Sequence, residues 1–261
     1  MSRFAVLMYH RIHSAETPVD DARERPWAVT LDAFQEQMGH LVAAGRMAVS
    51  MAQAHAELAA GRRVPAEWVV LTFDDGNQSD HRHALPVLSR LGFRATFFVC
   101  GYRVGARDGL SPGDIKEMHD AGMHIGSHAM THRFLTTLSP REEDDELARS
   151  QQLLQEIVMT AVDHFAPPGG RWSSRTAGAL RRLSYRAVST SQFGYNDASK
   201  AAFAYRRIPM VAATTAERFD TIASGSRWRL WPSYARATSV GMVRRALGES
   251  AYARMRGYGD A

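Results

Sequence analysis

The chain has 261 residues, 45% of them hydrophobic, and a formal net charge of +5. That is enough apolar material for a sizeable core, which excludes a disordered chain, and no run approaches the roughly 20 apolar residues of a membrane-spanning helix. A single cysteine, Cys100, excludes an intrachain disulfide, fits a reducing compartment and reads as a small buried hydrophobe.

In chain order, residues 4–9 predict a strand, and their apolar stretch is too short for a signal-peptide core, so a cytoplasmic protein is expected. The charged, aperiodic segment 14–26 reads as a surface loop. A helix follows at 31–44, a strand at 47–50, a helix at 51–60, a strand at 68–73 and a helix at 80–91. Next come a strand at 94–99, a helix at 111–121, a strand at 123–127, a helix at 140–158 and a strand at 164–166. The pattern ends with a helix at 174–183, strands at 186–190 and 205–210, and helices at 215–223 and 240–255. Ser111-Pro112 and Ser139-Pro140 place proline at a first helical position, and Gly45, Gly92 and Gly122 sit where helices stop. Repeated strand–helix units predict a mainly parallel sheet, and seven or eight of them predict closure into an α/β barrel. No linker or repeat divides residues 1–261, so one domain is expected, with 224–261 as a basic helical tail. That tail carries seven arginines against Glu249 and Asp260. A solvated basic helix is its simplest description, with peripheral contact to a membrane surface as the alternative. No nucleotide-binding glycine motif is present, and nucleic acid is not expected as a partner.

In α/β barrels the loops after the strands' C-terminal ends build the site. His10, Asp74, Asp75 and His128 all fall at or just past such ends. The adjacent carboxylates directly follow the apolar run Trp68-Val69-Val70-Leu71-Thr72-Phe73, where two charges are costly unless compensated, and a cation compensates them. One carboxylate with His128 and His132 is a three-ligand metal set that leaves coordination positions open, and the second carboxylate is then free to act as a base.

Four segments in order carry a resemblance: Thr72-Phe73-Asp74-Asp75-Gly76, Ala95-Thr96-Phe97-Phe98-Val99, the stretch from Gly122 to His132, and Phe165-Ala166-Pro167-Pro168-Gly169-Gly170. The chain resembles the polysaccharide deacetylases of the NodB homology type, carbohydrate esterase family 4, over roughly residues 4–215. The resemblance implies a distorted (β/α)7-8 barrel with a divalent metal at its mouth. It implies that Asp75, His128 and His132 hold the metal and that Asp74 is the general base. The implied activity is metal-dependent removal of N-acetyl groups from a polysaccharide, an oligosaccharide or a lipid-linked glycan. One oxygen and two nitrogen donors suit zinc, and also cobalt, nickel or iron.

Two departures from the family pattern stand out. Its third motif carries an arginine that orients the base and a tyrosine whose N–H serves the oxyanion hole; here Ala166 and Gly169 stand there. Gly169 keeps a backbone N–H for the oxyanion. Arg171 is expected to replace the arginine, with Arg206 or Arg207 as alternatives from a later strand, and Trp172 is expected to face a sugar ring. The family's C-terminal Leu-x-His is also missing, since His164 is the last histidine. Val6-Leu7-Met8-Tyr9-His10 has the same form at the other end of the chain, and in a closed barrel the first and last strands are neighbours. His10 is therefore expected to be the general acid, with His13 competing. His124 shares a strand face with His128 and reads as a packed or exposed histidine rather than a ligand. Rival functions are a non-catalytic glycan-binding barrel, favoured by the lost arginine and the displaced histidine, and hydrolysis of O-acetyl or non-sugar C–N bonds.

Overall fold

The computed structural model describes residues 3–19 and 21–225; the predicted helix at 240–255, and the tail from residue 226 on, lie outside them. The strands are β1 (Arg3–Phe4), β2 (Val6–Tyr9), β3 (Arg11–His13), β4 (Ala28–Thr30), β5 (Met47–Val49), β6 (Trp68–Asp75), β7 (Thr96–Val99), β8 (His124–Ser127), β9 (His164–Phe165), β10 (Ala187–Phe193), β11 (Asn196–Asp197) and β12 (Ala204–Pro209). The α-helices are α1 (Leu31–Ala43), α2 (Met51–Ala59), α3 (Leu85–Arg90), α4 (Pro112–Asp120), α5 (Pro140–Val158), α6 (Ser174–Arg182) and α7 (Ala216–Ala223).

Parallel pairing runs β2-β12-β10-β9-β8-β7-β6 and returns from β6 to β2, so seven strands close a barrel, with β5 paired outside the ring to the start of β6. The first barrel strand thus sits between β12 (Ile208 beside Leu7) and β6 (Leu71 beside Leu7). Closure buries β2 and most of β6 on both faces, which is why these strands read as unbroken apolar runs rather than alternating ones. Between the ring and α1, Phe73 stacks between Tyr9 and Phe97, at 5.1 and 4.6 Å between ring centroids, with Phe34 of α1 edge-on to it.

The helix signals act as expected. α4 and α5 begin at the prolines, each behind a serine in a reciprocal capping box, Ser111 with Asp114 and Ser139 with Glu142. Gly45, Gly92 and Gly122 follow α1, α3 and α4 with positive φ.

Three predicted elements differ from those observed. Strand 4–9 breaks at Ala5: β1 pairs antiparallel with β11, and only β2 enters the barrel. The strand ending at Phe73 continues through Asp75, which pairs with Val99, so both carboxylates belong to β6 itself. The helix at 80–91 opens as a wide π turn, Asp80–Ala84, and becomes α-helical only at Leu85. Pro86 explains this: it has no N–H to return to residue 82 and its ring crowds the preceding turn, so the Leu85 N–H bonds to the Asp80 carbonyl instead.

Candidate active site

The C-terminal ends of β2, β6, β8 and β12 converge on one mouth of the barrel. Asp74 and Asp75 end β6, and Asp75 takes φ 81°, a left-handed value that an aspartate tolerates and that turns its carboxylate away from the β6 ladder. Gly76 follows at φ 75°, where a Cβ would lie 2.8 Å from a Val99 methyl, so only glycine fits. After β8 the chain makes an irregular turn in which Ala129 (φ 63°) and His132 (φ 62°) are also left-handed. Glu146 of α5 holds that turn by accepting the N–H groups of Met130 (2.9 Å) and Thr131 (2.8 Å) together with the Thr131 hydroxyl. Strained backbone pinned by a buried carboxylate is characteristic of a preorganised site.

The turn brings both imidazoles to Asp75. His128 Nε2 lies 3.4 Å and His132 Nε2 3.2 Å from Asp75 Oδ1. Two ligands of one tetrahedral ion with bonds of about 2.0–2.1 Å stand about 3.3–3.4 Å apart, so the residues fit a divalent transition metal. His128 Nδ1 donates to the Ala166 carbonyl at 2.7 Å, which fixes the tautomer and leaves the Nε2 lone pair for an ion. Burial alone would raise the Asp75 carboxyl, but hydrogen bonds from the two histidines bring it well below the ordinary range. His128 is the reverse case: burial lowers it, and Asp75 and Asp74 raise it above its usual value.

Asp74 is buried and separately held. The fully buried Arg207 guanidinium forks onto it, Nη1 to Oδ1 at 2.6 Å and Nη2 to Oδ2 at 2.8 Å, and also reaches the Thr72 hydroxyl and the Thr190 carbonyl. Burial pushes the Asp74 carboxyl up, yet Arg207, His128 and His10 together hold it below the usual value.

Arg207 thus makes the pair expected of Arg171. Arg171 is buried elsewhere, its guanidinium 4.0 Å above the Phe134 ring, and this corrects the expectation. The arginine that was missing from the third motif comes instead from β12, and the support it lent to a non-catalytic barrel goes with it. Gly169 lies exposed beside the same Phe134, at φ 59°, with room for no side chain: a Cβ would stand 2.6 Å from the ring. Trp172 packs its half-buried ring against the cluster that includes Leu135, Phe165 and Leu180, with Phe203 at 6.5 Å, so it is a packing residue rather than an open sugar platform.

His10 directly follows β2, its ring 5.1 Å from Trp27, and it exerts a charge effect on both Asp74 and Asp75. Its Nδ1 is buried without a hydrogen-bond partner among the described residues. His13 ends β3 and lines a separate hollow with Pro18, Val19 and Val211. Sequence reasoning missed Asn77, which donates to the His10 carbonyl at 3.1 Å and accepts from Arg11 and Arg103. It also missed Asp80, a fully buried carboxyl whose two oxygens lack partners among the described residues. The only signal was their place just after the Asp-Asp-Gly turn. Cys100 is buried as expected, and burial pushes its thiol up to about 12, so it is inert.

Residues 61–188 match the polysaccharide deacetylase family model. YxkH of Bacillus subtilis, assigned to the same family by its name, is 27% identical over 79% of this chain and 71% of its own length. The peptidoglycan-N-acetylmuramic acid deacetylase PdaA of Bacillus subtilis is 32% identical over 46% of this chain, and the match spans 45% of that relative. Among solved structures, the Streptococcus pyogenes deacetylase PplD, in complex with acetate, superposes with a TM-score of 0.76 at 25% identity, over 85% of this chain and 98% of that one. With the barrel, the paired carboxylates and the two imidazoles in place, this chain carries a polysaccharide deacetylase domain.

Proposed function

We propose that this protein hydrolyses N-acetyl groups of a glycan with a divalent metal ion, zinc first among the candidates, held by Asp75, His128 and His132. The supporting observation is the division of labour between neighbours: Asp75 lies within ion-sharing distance of both imidazoles, while Arg207 reserves Asp74. When bound, the ion supplies a water of lowered pKa and a Lewis acid for the acyl oxygen. Asp74, kept ionised by Arg207, accepts the proton of the attacking water. The exposed Gly169 N–H donates to the oxygen that becomes negative as the carbonyl turns tetrahedral. His10 returns a proton to the departing nitrogen, since an amine leaves poorly as an anion. Acetate, the molecule bound by the related PplD, is the acid this hydrolysis releases.

The test is acetate release from N-acetylglucosamine oligomers by metal-loaded protein, with metal content measured alongside. Turnover is expected for the parent protein, and loss of both ion and turnover for Asp75→Ala and His128→Ala. An ion bound with no hydrolysis of any acetylated glycan would overturn the enzyme reading. Preference for an O-acetylated glycan over its N-acetylated counterpart would replace the amide with an ester.

A further inference from the structure

The mouth of the barrel carries two aromatic rings that the chemistry above does not use. Among the described residues, the exposed large apolar side chains include just two rings, Trp27 at 37% and Tyr102 at 52%. Trp27 closes the short turn Arg25–Trp27 that leads into β4, and its ring lies against His10, the residue that follows β2. Tyr102 lies in the turn Gly101–Arg103, one residue past β7. β6, which ends in Asp74 and Asp75, pairs with β2 on one side and with β7 on the other, so the two rings flank the carboxylates.

Both rings stand on fixed backbone. The Trp27 N–H donates to the Glu24 carbonyl at 2.9 Å, and the Ala212 N–H, past β12, donates to the Pro26 carbonyl at 3.1 Å. The Tyr102 N–H donates to the Met130 carbonyl at 2.7 Å and the Gly101 N–H to the Ala129 carbonyl at 3.0 Å, so Tyr102 rides on the turn that presents His128 and His132. A continuous polar strip joins the two mounts. Glu24 pairs with Arg11 at 3.0 Å, and Arg11 and Arg103 both donate to Asn77 Oδ1, at 3.1 and 2.7 Å. Arg103 in turn interacts electrostatically with Tyr102 and Asp75. Asn77 also donates to the His10 carbonyl, so the strip and the proposed acid share one anchor. Exposed rings on rigid mounts, with planar hydrogen-bonding groups between them, complement a sugar chain: C–H faces stack on the rings and hydroxyls meet the donors. β2 and β7 are two strand spacings apart, about 10 Å, which one pyranose does not bridge and a run of three does.

We propose, on the deacetylase reading above, that Trp27 and Tyr102 are the end platforms of a glycan-binding strip across the mouth, and that the protein acts on an internal sugar of a linear chain of at least three. The reacting sugar lies over the end of β6, between His10 and the proposed metal ligands. One neighbour stacks on Trp27 and the other on Tyr102, and Arg11 and Arg103 donate to hydroxyls between them. A single sugar, or the last sugar of a chain, fills only part of the strip and binds more weakly. Trp27 thus takes the platform role expected of Trp172, whose ring is packed against the core.

The experiment titrates the N-acetylglucosamine pentamer into full-length, chelator-treated protein by calorimetry, then restores zinc and locates the deacetylated sugars of the same pentamer by mass spectrometry. The parent is expected to bind the pentamer without turnover and, once zinc is restored, to deacetylate its internal sugars first. Trp27→Ala and Tyr102→Ala are each expected to weaken binding about tenfold or more, and Trp27→Tyr and Tyr102→Phe, which keep a ring, to recover most of it. Thermal midpoints should stay near that of the parent, since both rings are exposed. Should an alanine variant fail to fold, Trp27→Leu and Tyr102→Leu keep apolar bulk and remove the ring. Unaltered pentamer affinity in either ring-less variant, or no pentamer binding by the parent, overturns the strip, and so does first release of acetate from a chain end. Ring-dependent binding with no acetate released from any glycan upholds the strip and overturns the deacetylase reading instead.

Discussion

Asp74 and Arg207 form a buried ion pair, and such pairs are asymmetric in their energetics: removing one partner strands the other charge. Arg207→Gln is expected to destabilise the fold by about 3–5 kcal/mol in urea unfolding. It should also move the acid limb of the pH–rate profile upward, because the cation that overcomes burial is gone and the Asp74 pKa rises. Zinc content should stay unchanged, since Arg207 touches no proposed ligand. An unmoved acid limb would show that Asp74 is not the base. The sequence brought this arginine only to a choice. Residues 206 and 207 both lie on a predicted strand, and a period of two sends them to opposite sides, but nothing local says which side is the barrel interior. The fold decides it, with Arg206 exposed and Arg207 buried. Asp80 was out of reach for a similar reason, because its environment is assembled from distant segments. Burial, and then the charge of Asp75, push its carboxyl well above the ordinary value, so it stays protonated in the folded protein at a pH where the unfolded chain ionises. The folded state therefore loses stability as pH rises from about 4, the unfolded value, toward the raised folded one. Asp80→Asn keeps the shape and removes the titration. It should be more stable than the parent at pH 7 and gain nothing near pH 3; equal midpoints at both pH values would show that Asp80 is ionised in the fold.

At the scale of elements, His128 and His132, the proposed metal ligands, depend on a turn that no propensity favours. Ala129 and His132 are both left-handed, and the turn persists because Glu146, one helix away, satisfies two of its N–H groups and a hydroxyl. Glu146→Gln is expected to weaken zinc binding by roughly 10–100-fold, the usual effect of losing an outer partner, while leaving unfolding midpoints of the zinc-free protein within about 1 kcal/mol of the parent. Unaltered zinc affinity would mean that the turn is held by its own backbone. The order of elements was legible because strand and helix periods alternate and two helices announce their own start, as Ser139, Pro140 and Glu142 do for α5. The support given by Glu146 was not, since it reads as one more acidic residue on an exposed helix until α5 is docked. The helix at 80–91 shows the complementary error. Its apolar period was right, but Pro86 changes the hydrogen-bond spacing of the turn before it without disturbing that period.

At the scale of the molecule, ring closure lets the general acid come from either end of the chain. β2 lies between β12 and β6, so a histidine after the first strand reaches the place that one after the last strand would reach. Sequence order alone gives no such neighbourhood; it followed from counting strand–helix units and closing them. The assignment of His10 has a consequence that depends on the leaving group. An amine expelled from a sugar amide needs a proton, whereas p-nitrophenolate leaves unaided. His10→Ala is therefore expected to lower kcat on N-acetylglucosamine oligomers by about 10²–10⁴-fold, while p-nitrophenyl acetate hydrolysis falls by less than about tenfold. Zinc content should match the parent protein, because His10 is not among the ligands. Equal losses on both substrates would assign His10 to binding or to the architecture of the mouth, with its ring against Trp27 as the reason. An unaltered amide rate would pass proton delivery to another group, His13 first, even though that residue faces a separate hollow.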